Sequence, residues 1–454
     1  MMDVRKLSCL LFILCWHHFA YSQSMRDEMQ QPMPGGSAPV TFETFSVWTS
    51  DTNAVQVHIL YRIDAGFLFF SKKADAAREQ YIGQAEVIAE LLDTLNNTIA
   101  RQIQPVQILR SSLPTETDKP NDIQGSLPFT VKPGTYHIHF EAQDAESGKS
   151  FSMHEKTIII QQWKKDSINI SSPLLIERLR NDSLSRSHPV LIPVNHGETI
   201  LFGTTPAYIF QLMTIDSLPN LKVHWNVTGH TNADRDEERH WSDSTYDSVN
   251  GVPQGTNEKN EVRYTILDSK LSSKVVYLPL PFEKFSEGHY HCQLTVQAGK
   301  KQIQREWHFE VVWKNKPRSL MNLDLAINAL RHIATDDEVS QMHGFLSTDS
   351  KKFQEFWNKK NPDTTRAYNP VMAEYYRRVD EAIQKYSMAK EVDGYRTDRG
   401  RILILFGHPS HIDRSLKPTS VPTEVWTYEK LRKYFIFTDR NRSGNYELTQ
   451  VETY

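Results

Sequence analysis

The chain has 454 residues, too many for one hydrophobic core, and this length predicts about three domains. Hydrophobic residues make up 39% and charged residues 24%, a composition typical of soluble globular proteins that excludes bulk disorder, a collagen-like repeat and a membrane bundle. The formal net charge of -3, without any Lys/Arg-rich block, excludes a general electrostatic binder of nucleic acid.

The first 22 residues have the pattern of a Sec-type signal peptide. Arg5 and Lys6 precede an apolar run at residues 7–16, and Ala20 and Ser22 are the small residues before the expected cleavage point. The apolar run is about half of the roughly 20 residues that a membrane-spanning helix needs. The pattern therefore predicts export to the periplasm, the outer surface or the medium, with no transmembrane segment in the mature chain.

The cysteines support the same interpretation. Cys9 and Cys15 lie within the predicted signal peptide, so Cys292 is the only cysteine of the mature chain. A single cysteine excludes an internal disulfide and a thiolate metal site. Cys292 alternates with apolar residues, which predicts a buried and unreactive thiol.

Residues 23–38, rich in Met, Gln, Pro and Gly, are predicted to form a flexible tether. Short strand patterns separated by turn residues follow, and they predict an antiparallel β-sandwich over residues 39–163. A closing hairpin, with strands at residues 136–140 and 151–160, is the clearest part of this pattern.

A second sandwich over residues 164–314 is predicted from an internal repeat. The segment LPF before Gly134 and Tyr136 recurs as LPF before Gly288 and Tyr290, and a strand, a polar turn and a second strand follow each copy. A Gly two residues before a Tyr at the start of a late strand resembles the tyrosine corner of immunoglobulin-like sandwiches. The repeat therefore predicts two tandem Ig-like sandwiches.

Within the second sandwich, residues 228–261 contain almost no apolar side chains. Such a stretch predicts a long mobile loop that exposes Trp241 and Tyr246, because it has too little apolar surface to bury. This loop is either a tolerated insertion, which is the favoured alternative, or a binding surface.

The region 315–454 predicts a third module of α+β type, with helices packed on a small sheet. Apolar residues recur at helical spacing over residues 323–333, 350–361 and 370–388, and Asn369 is the expected cap of the last helix. The apolar run at residues 401–407 predicts a buried strand. Three later segments, around Trp426 and at residues 434–437 and 446–451, predict the antiparallel sheet.

A short signature lies between the long helix and that apolar run. Its sequence is GYRTDRGR, at residues 394–401, and it is supported by flanking residues of matching order and spacing, which include Phe356, Trp357, Glu374, Tyr375, Tyr376, Arg377, Arg378, His408, Glu424 and Trp426. The region 315–454 resembles the GWxTD domain of exported bacterial proteins. Tyr395 stands where the family has Trp, which keeps an aromatic side chain but changes its volume and adds a hydroxyl. The resemblance implies no activity, since the family is named for a motif.

Two interpretations of the signature remain open, and the structural one is favoured. Asp398 would be held by the guanidinium groups of Arg399, Arg401 and the helix residues Arg377 and Arg378, locking the turn. Gly394 and Gly400 would allow tight turns, and Thr397 would bond the turn backbone.

The alternative interpretation is a binding or acid–base site. Its members would be Glu374, Asp398, Arg401, His408 and His411, with Arg377, Arg378 and Trp426 as further binding candidates. No nucleophile elbow, HExxH, Walker loop or paired CxxC motif accompanies them in the sequence.

Two histidine pairs are candidate metal ligands. His137 with His139, and His289 with His291, are each spaced to place two imidazoles on one face of a strand. Apolar residues occupy the other face, so polar alternation predicts that these histidines face solvent. No metal or other cofactor is predicted.

The favoured function is that of an exported, non-enzymatic envelope or extracellular protein. Its sandwiches would present a GWxTD-like module to a protein or surface partner, an argument from architecture. The alternative is a periplasmic hydrolase-like enzyme with a site around Asp398 and His408. The sequence leaves the oligomeric state open.

Overall fold

The structure is a computed structural model that describes residues 38–48, 54–73, 79–113, 122–179, 188–214, 220–231, 234–258, 260–269, 272–343, 348–388, 393–417 and 419–454. The predicted signal peptide and all but the last residue of the predicted tether lie outside these ranges. The chain divides into an N-terminal unit that runs to Lys314 and a C-terminal unit, Asn315–Tyr454, which also includes Glu283–Phe285.

Strands hold 51% of the described residues and helices 19%, which confirms the prediction of a mainly β protein with helices in its C-terminal part. Among the described residues, no helix is both long enough and apolar enough to cross a membrane.

The first part of the N-terminal unit contains eight strands in two sheets. Strands β1 to β8 are Val40–Trp48, Val55–Ile63, Phe70–Lys72, Tyr81–Leu92, Thr98–Arg110, Ile123–Val131, Gly134–Asp144 and Ser150–Ile160. One sheet has the order β1-β2-β6, and the other has the order β3-β4-β7-β8 with β5 paired to β4. All these pairings are antiparallel, and the facing side chains of the two sheets form one hydrophobic core.

The rest of the N-terminal unit contributes thirteen strands to three further sheets. Strands β9 to β21 are Asn169–Ile170, Leu174–Ile176, Val190–Leu191, Thr199–Leu201, Ala207–Thr214, Leu221–Thr231, Asp234–Asp243, Asp247–Asn250, Val252–Glu258, Glu261–Leu267, Ser272–Leu278, Gly288–Ala298 and Lys301–Val312. The sheet orders are β10-β13-β19-β16 with β9 beside β13, β11-β18-β17, and β12-β21-β20-β14-β15.

The predicted tyrosine-corner positions make the same contact in both repeats. The Tyr136 hydroxyl donates to the carbonyl oxygen of Lys132 at 2.9 Å, and the Tyr290 hydroxyl donates to that of Ser286 at 2.8 Å. In each copy the bond spans four residues and fixes the entry into a long strand. The repeat read from the sequence thus corresponds to a repeated local structure.

The prediction of a long loop at residues 228–261 is wrong. The described part of this stretch continues β14, forms β15, β16 and β17, and enters β18. A strand that lies at a sheet edge satisfies its backbone by pairing and needs few apolar side chains, so low hydrophobicity does not exclude it. Trp241 and Tyr246 are half-buried rather than exposed, and the Tyr246 hydroxyl donates to the Leu221 carbonyl oxygen at 2.5 Å.

The sheet β1-β2-β6 is covered on both faces. One face joins the core described above, while Phe45, Val47 and Leu60 point the other way into a second core with Leu191, Tyr264 and other residues from β10 to β19. The Gln211 side chain adds a polar contact, accepting from the Trp48 backbone N–H at 2.8 Å. The stretches 39–163 and 164–314 therefore share buried surface within one compact unit.

In the part of the C-terminal unit that the structure describes, five helices combine with one antiparallel sheet. Helices α1 to α5 are Leu323–Ala329, Asp336–Met342, Thr348–Lys360, Pro370–Tyr386 and Asp398–Phe406. The sheet has the order β22-β23-β24-β25, with strands His411–Ser415, Thr423–Tyr428, Lys433–Thr438 and Glu447–Thr453. The three predicted helical segments are confirmed, and Asn369 caps α4 as predicted, accepting from the N–H groups of Val371 and Met372.

The predicted buried strand at residues 401–407 is instead part of α5. A short apolar run does not distinguish a strand from a buried helix, and here the start signals at Thr397 and Asp398 decide the outcome. Ile402, Leu403 and Ile404 are all buried in the core of this unit. Gly407 ends the helix with a φ of 76°, a conformation that favours glycine.

Candidate functional site

The signature residues form the turn that joins α4 to α5. A 3₁₀ turn, Gly394–Arg396, follows α4 and leads directly into the Thr397 cap of α5. The Gly394 N–H donates to the Ser387 hydroxyl oxygen at 2.9 Å, so the turn is fixed to the end of α4. We call residues 394–401 the signature turn.

Both glycines of the signature turn lie where a side chain has no room. A Cβ on Gly394 would lie far inside van der Waals contact with the carbonyl oxygen of Ala382, on α4. A Cβ on Gly400 would clash in the same way with the carbonyl oxygen of Gly394. Since both obstacles are backbone atoms, the two glycines are needed for close approach between α4, the turn and α5.

Tyr395 is an aromatic plug in the core of the C-terminal unit, with 1% of its surface exposed. Its hydroxyl accepts from Arg396 Nε at 3.0 Å, so the polar atom that Tyr adds relative to Trp has a partner. Its carbonyl oxygen accepts from His332 Nε2 at 2.8 Å. Burial lowers the pKa of His332, which favours the neutral imidazole that donates this bond.

Thr397 uses both functions of its hydroxyl. Oγ1 donates to the Gly394 carbonyl oxygen at 2.7 Å and accepts from the Gly400 N–H at 3.0 Å. The side chain therefore closes the 3₁₀ turn and caps α5 at the same time. The short hydroxyl side chain of Ser or Thr can donate and accept at once in such a position. Thr397 is also buried.

Asp398 joins the first turn of α5 to the sheet. Oδ1 accepts from Arg401 at 2.8 Å, and Oδ2 accepts from the backbone N–H of Leu448 in β25 at 2.8 Å. The carboxylate also lies at the helix N-terminus, where negative charge is favourable. The predicted bonds from Arg377 and Arg378 to Asp398 do not form.

Arg377 and Arg378 bind Glu374 instead. Glu374 accepts from Arg377 at 2.8 and 2.9 Å and from Arg378 at 2.7 Å, and Arg378 also donates to the Ile404 carbonyl oxygen at 3.2 Å. The hydrogen bonds from Arg377 lower the pKa of Glu374. These three residues are binding candidates from the sequence. Glu374 and Arg377 are paired within α4, and Arg378 joins α4 to the C-terminal end of α5.

The remaining acid–base candidates are divided among separate pairs. His408 Nε2 lies 3.1 Å from a carboxylate oxygen of Glu381, and His411 Nε2 lies 3.0 Å from Asp413 Oδ1. Neither histidine is paired with Asp398 or Glu374. The structure therefore assigns each of these groups its own partner and does not gather them into one constellation.

Residues 293–454 match the family model described as the GWxTD domain. The chain is a GWxTD domain-containing protein. The matched region begins within β20, earlier than the boundary at residue 315 predicted from the sequence. No curated protein matches the chain.

A buried charge network in the GWxTD domain was not predicted. Glu424, 4% exposed, accepts from Trp426 Nε1 at 3.2 Å and from Arg414 at 3.0 Å, and its carboxylate lies 3.6 Å from Arg399. Arg399 also lies over the rings of Tyr386 and Tyr446. Strand alternation places Glu424 on the same inward face as Trp426, a signal the sequence did contain.

Trp426 itself is 1% exposed and packs against Tyr386 and Phe437. It lies in the core of the GWxTD domain, so a ligand would reach its ring only by displacing neighbouring side chains. Among the sequence-derived binding candidates, Glu374, Arg377 and His408 retain larger solvent-exposed fractions.

The cysteine and histidine predictions concern the N-terminal unit. Cys292 is buried, and burial raises the pKa of its thiol, as expected of an unreactive side chain. His289 and His291 point away from the buried face that carries Tyr290 and Cys292. Within the described ranges, no three histidine, cysteine or acidic side chains already surround a common metal position.

Proposed function

We propose that this chain is an exported, non-enzymatic protein of the cell envelope or cell exterior. In this proposal, tandem Ig-like sandwiches carry the GWxTD domain and make it available to a protein or surface partner. Export rests on the signal-peptide pattern of residues 1–22, and the recognition role rests on the domain architecture and on the chemistry of the signature turn.

The observation that carries the proposal is the use of the signature's polar atoms in bonds inside the domain. Thr397 closes and caps the turn, and Asp398 joins α5 to β25. A catalytic group needs an atom directed at substrate, whereas these atoms are directed at neighbouring backbone. The signature is therefore best understood as a device that holds the fold, leaving recognition to the surface.

An exposed apolar cluster supports a partner-binding role for that surface. Ile412, Leu416 and Val421 lie in β22 and in the connection to β23, and they are 36%, 66% and 45% exposed. Apolar side chains gathered in one hairpin are typical of interaction sites, while single exposed ones are ordinary.

The hydrolase alternative requires Asp398 and His408 to act together. His408 is instead paired with Glu381, and Asp398 with Arg401 and the Leu448 N–H. An enzyme would need both pairs to open in the presence of substrate. The two functions therefore predict different effects of His408→Ala, which removes the candidate base without touching the signature turn.

The proposal is tested in cells that produce the full chain. We expect fractionation to recover the protein outside the cytoplasm with Gln23 as its first residue. A photo-crosslinking residue at Leu416 should form one discrete adduct with an envelope component, and Ile412→Ser with Val421→Ser should abolish it. The same residue at Thr453, exposed on β25, is the control position.

Three results would contradict the proposal. They are cytoplasmic retention with residues 1–22 intact, equal crosslinking from both positions, and a hydrolytic activity of the purified chain that His408→Ala removes.

A further inference from the structure

The outer face of the sheet β12-β21-β20-β14-β15 carries an unusual set of histidines. His289 and His291 alternate with the buried residues Tyr290 and Cys292 along β20, so both imidazoles point outward. The register places His308 of β21 directly opposite His291. The sequence pattern showed only the pair on β20, because His308 becomes its neighbour through strand pairing.

The two facing imidazoles are close. The ring centroids of His291 and His308 are 4.7 Å apart, and the rings are inclined by 28°. Neutral imidazole is the form that binds divalent transition metals.

Carboxylates border the pair on the same face. Glu306 lies 3.5 Å from His291 Nε2, and Glu310 lies 3.8 Å from His289 Nε2. The other groups facing this region are Gln293, which donates to Glu306 at 2.8 Å, with Thr228 and His230 opposite His291 and His289 on β14. Imidazole nitrogens with a carboxylate oxygen are a donor set that zinc, nickel and copper ions accept.

We propose that His291 and His308 bind a divalent transition-metal ion of the zinc class, with Glu306 as the third protein ligand. In the described residues no three donors yet surround one point, so binding requires rotation of the side chains. His289, His308 and Glu306 are exposed enough to rotate, while the paired strands hold their Cα positions. The site is thus a surface chelate rather than a closed structural site.

The chain offers a matched control. His137 and His139 have the same spacing on β7, but Thr157 rather than histidine lies opposite His137. The proposed site therefore predicts that substitutions in the two histidine pairs, which look equivalent in the sequence, change zinc affinity differently. The Nδ1 atom of His137 lies 3.0 Å from the Thr157 hydroxyl.

The test is a calorimetric titration of the full mature chain, produced without a histidine tag and freed of metal by chelator, with zinc chloride alone. The wild type and the His137→Ala/His139→Ala variant should bind zinc equally. The His291→Ala/His308→Ala variant should bind at least about tenfold more weakly. Lowering the pH from about 7.5 to 5.5 should weaken wild-type binding, since protons compete for the imidazoles.

A second measurement, of melting temperature, distinguishes loss of the zinc site from misfolding of the variant. Strand pairing brings His291 and His308 together only in the folded chain. Zinc should therefore raise the melting temperature of the wild type but not of the His291→Ala/His308→Ala variant, whose melting temperature without zinc should match the wild type. Zinc binding that survives in that variant, or its loss in the His137→Ala/His139→Ala variant, would overturn the proposal. So would the failure of the wild type to bind zinc at neutral pH.

Discussion

At the scale of single residues, the protein places polar groups where burial changes their chemistry. The Thr397 hydroxyl both donates and accepts within the signature turn, and Glu424 is a buried carboxylate with two arginines near it. Glu43 on β1 is different, because it is buried and its Oε1 atom has no hydrogen-bond partner. Burial raises the pKa of Glu43 to about 7, with the charge of Glu198 adding to the effect and Lys156 opposing it.

The raised pKa makes Glu43 a source of pH-dependent stability. The folded state keeps this proton up to about pH 7, whereas the unfolded chain loses it near the ordinary glutamate pKa of 4.5. The free energy of unfolding should therefore fall as pH rises between these two values and stay level above them. Over the whole interval the loss is about 3 kcal/mol.

Glu43→Gln should remove this dependence. We expect the variant's stability relative to wild type to improve by about 2 to 3 kcal/mol between pH 5 and pH 8, measured by urea unfolding of the N-terminal unit. Glu86→Gln, at an exposed position on β4, is the control and should show no such trend. Parallel pH profiles for wild type and Glu43→Gln would refute the assignment.

At the scale of elements, side-chain contacts rather than apolar pattern decide how the GWxTD domain is joined. Helix α5 is fixed to α4 through Gly394 and Arg378, and to the sheet through Asp398 and Arg399. Each link uses a residue of the signature or of its flanks.

The Glu424 network is the element-scale link that is most sensitive to charge. Glu424→Ala leaves Arg399, whose side chain is 14% exposed, without its carboxylate. Loss of one member of a buried ion pair should lower the free energy of unfolding of the C-terminal unit by about 3 kcal/mol. Calorimetry should detect this as a lower transition temperature.

Asp413→Ala provides the comparison for this variant. Asp413 lies on the neighbouring strand β22 and its side chain is 69% exposed, so its loss should change stability by less than about 0.5 kcal/mol. Equal effects of the two substitutions would show that the Glu424 network does not stabilise the domain.

Some helices, strands and contacts could be predicted from the sequence, and others could not. The helices around Trp357 and Tyr376 follow from helical spacing, and the strands around Tyr136 and Tyr290 follow from alternation and turns. The prediction of a strand at residues 401–407 is wrong because five consecutive apolar residues, 402–406, suit a strand and a buried helix equally. Arg401 binds Asp398 as predicted, whereas Arg377 and Arg378 do not. The bond from Leu448 was missed because Leu448 lies 50 residues away in sequence and its contact depends on tertiary packing.

At the scale of the whole molecule, the shared cores of the N-terminal unit determine what can fold alone. Phe45 and Leu60 are fully buried against residues that lie beyond position 163. Cutting the chain there would expose a face that is apolar in the intact protein. The predicted sandwich boundary at residues 163 and 164 is therefore a boundary in sequence pattern that does not separate two cores.

A fragment of residues 38–163 should consequently aggregate or bind a hydrophobic dye, while residues 38–314 should be monomeric and unfold cooperatively. Phe45→Ser with Leu60→Ser should improve the solubility of the short fragment, because these side chains would be its exposed apolar surface. Light scattering and dye fluorescence provide the measurement. A monomeric short fragment without dye binding would contradict the shared-core interpretation.

The central claim is that the GWxTD signature holds the fold. Calorimetric unfolding of Thr397→Val beside Thr397→Ser tests it most directly, because valine keeps the volume of threonine while serine keeps its hydroxyl. We predict that Thr397→Val lowers the free energy of unfolding of the C-terminal unit by about 2 kcal/mol and Thr397→Ser by less than about 0.5 kcal/mol. A Thr397→Val protein as stable as wild type would contradict the claim. It would indicate that the hydroxyl binds a ligand or partner instead.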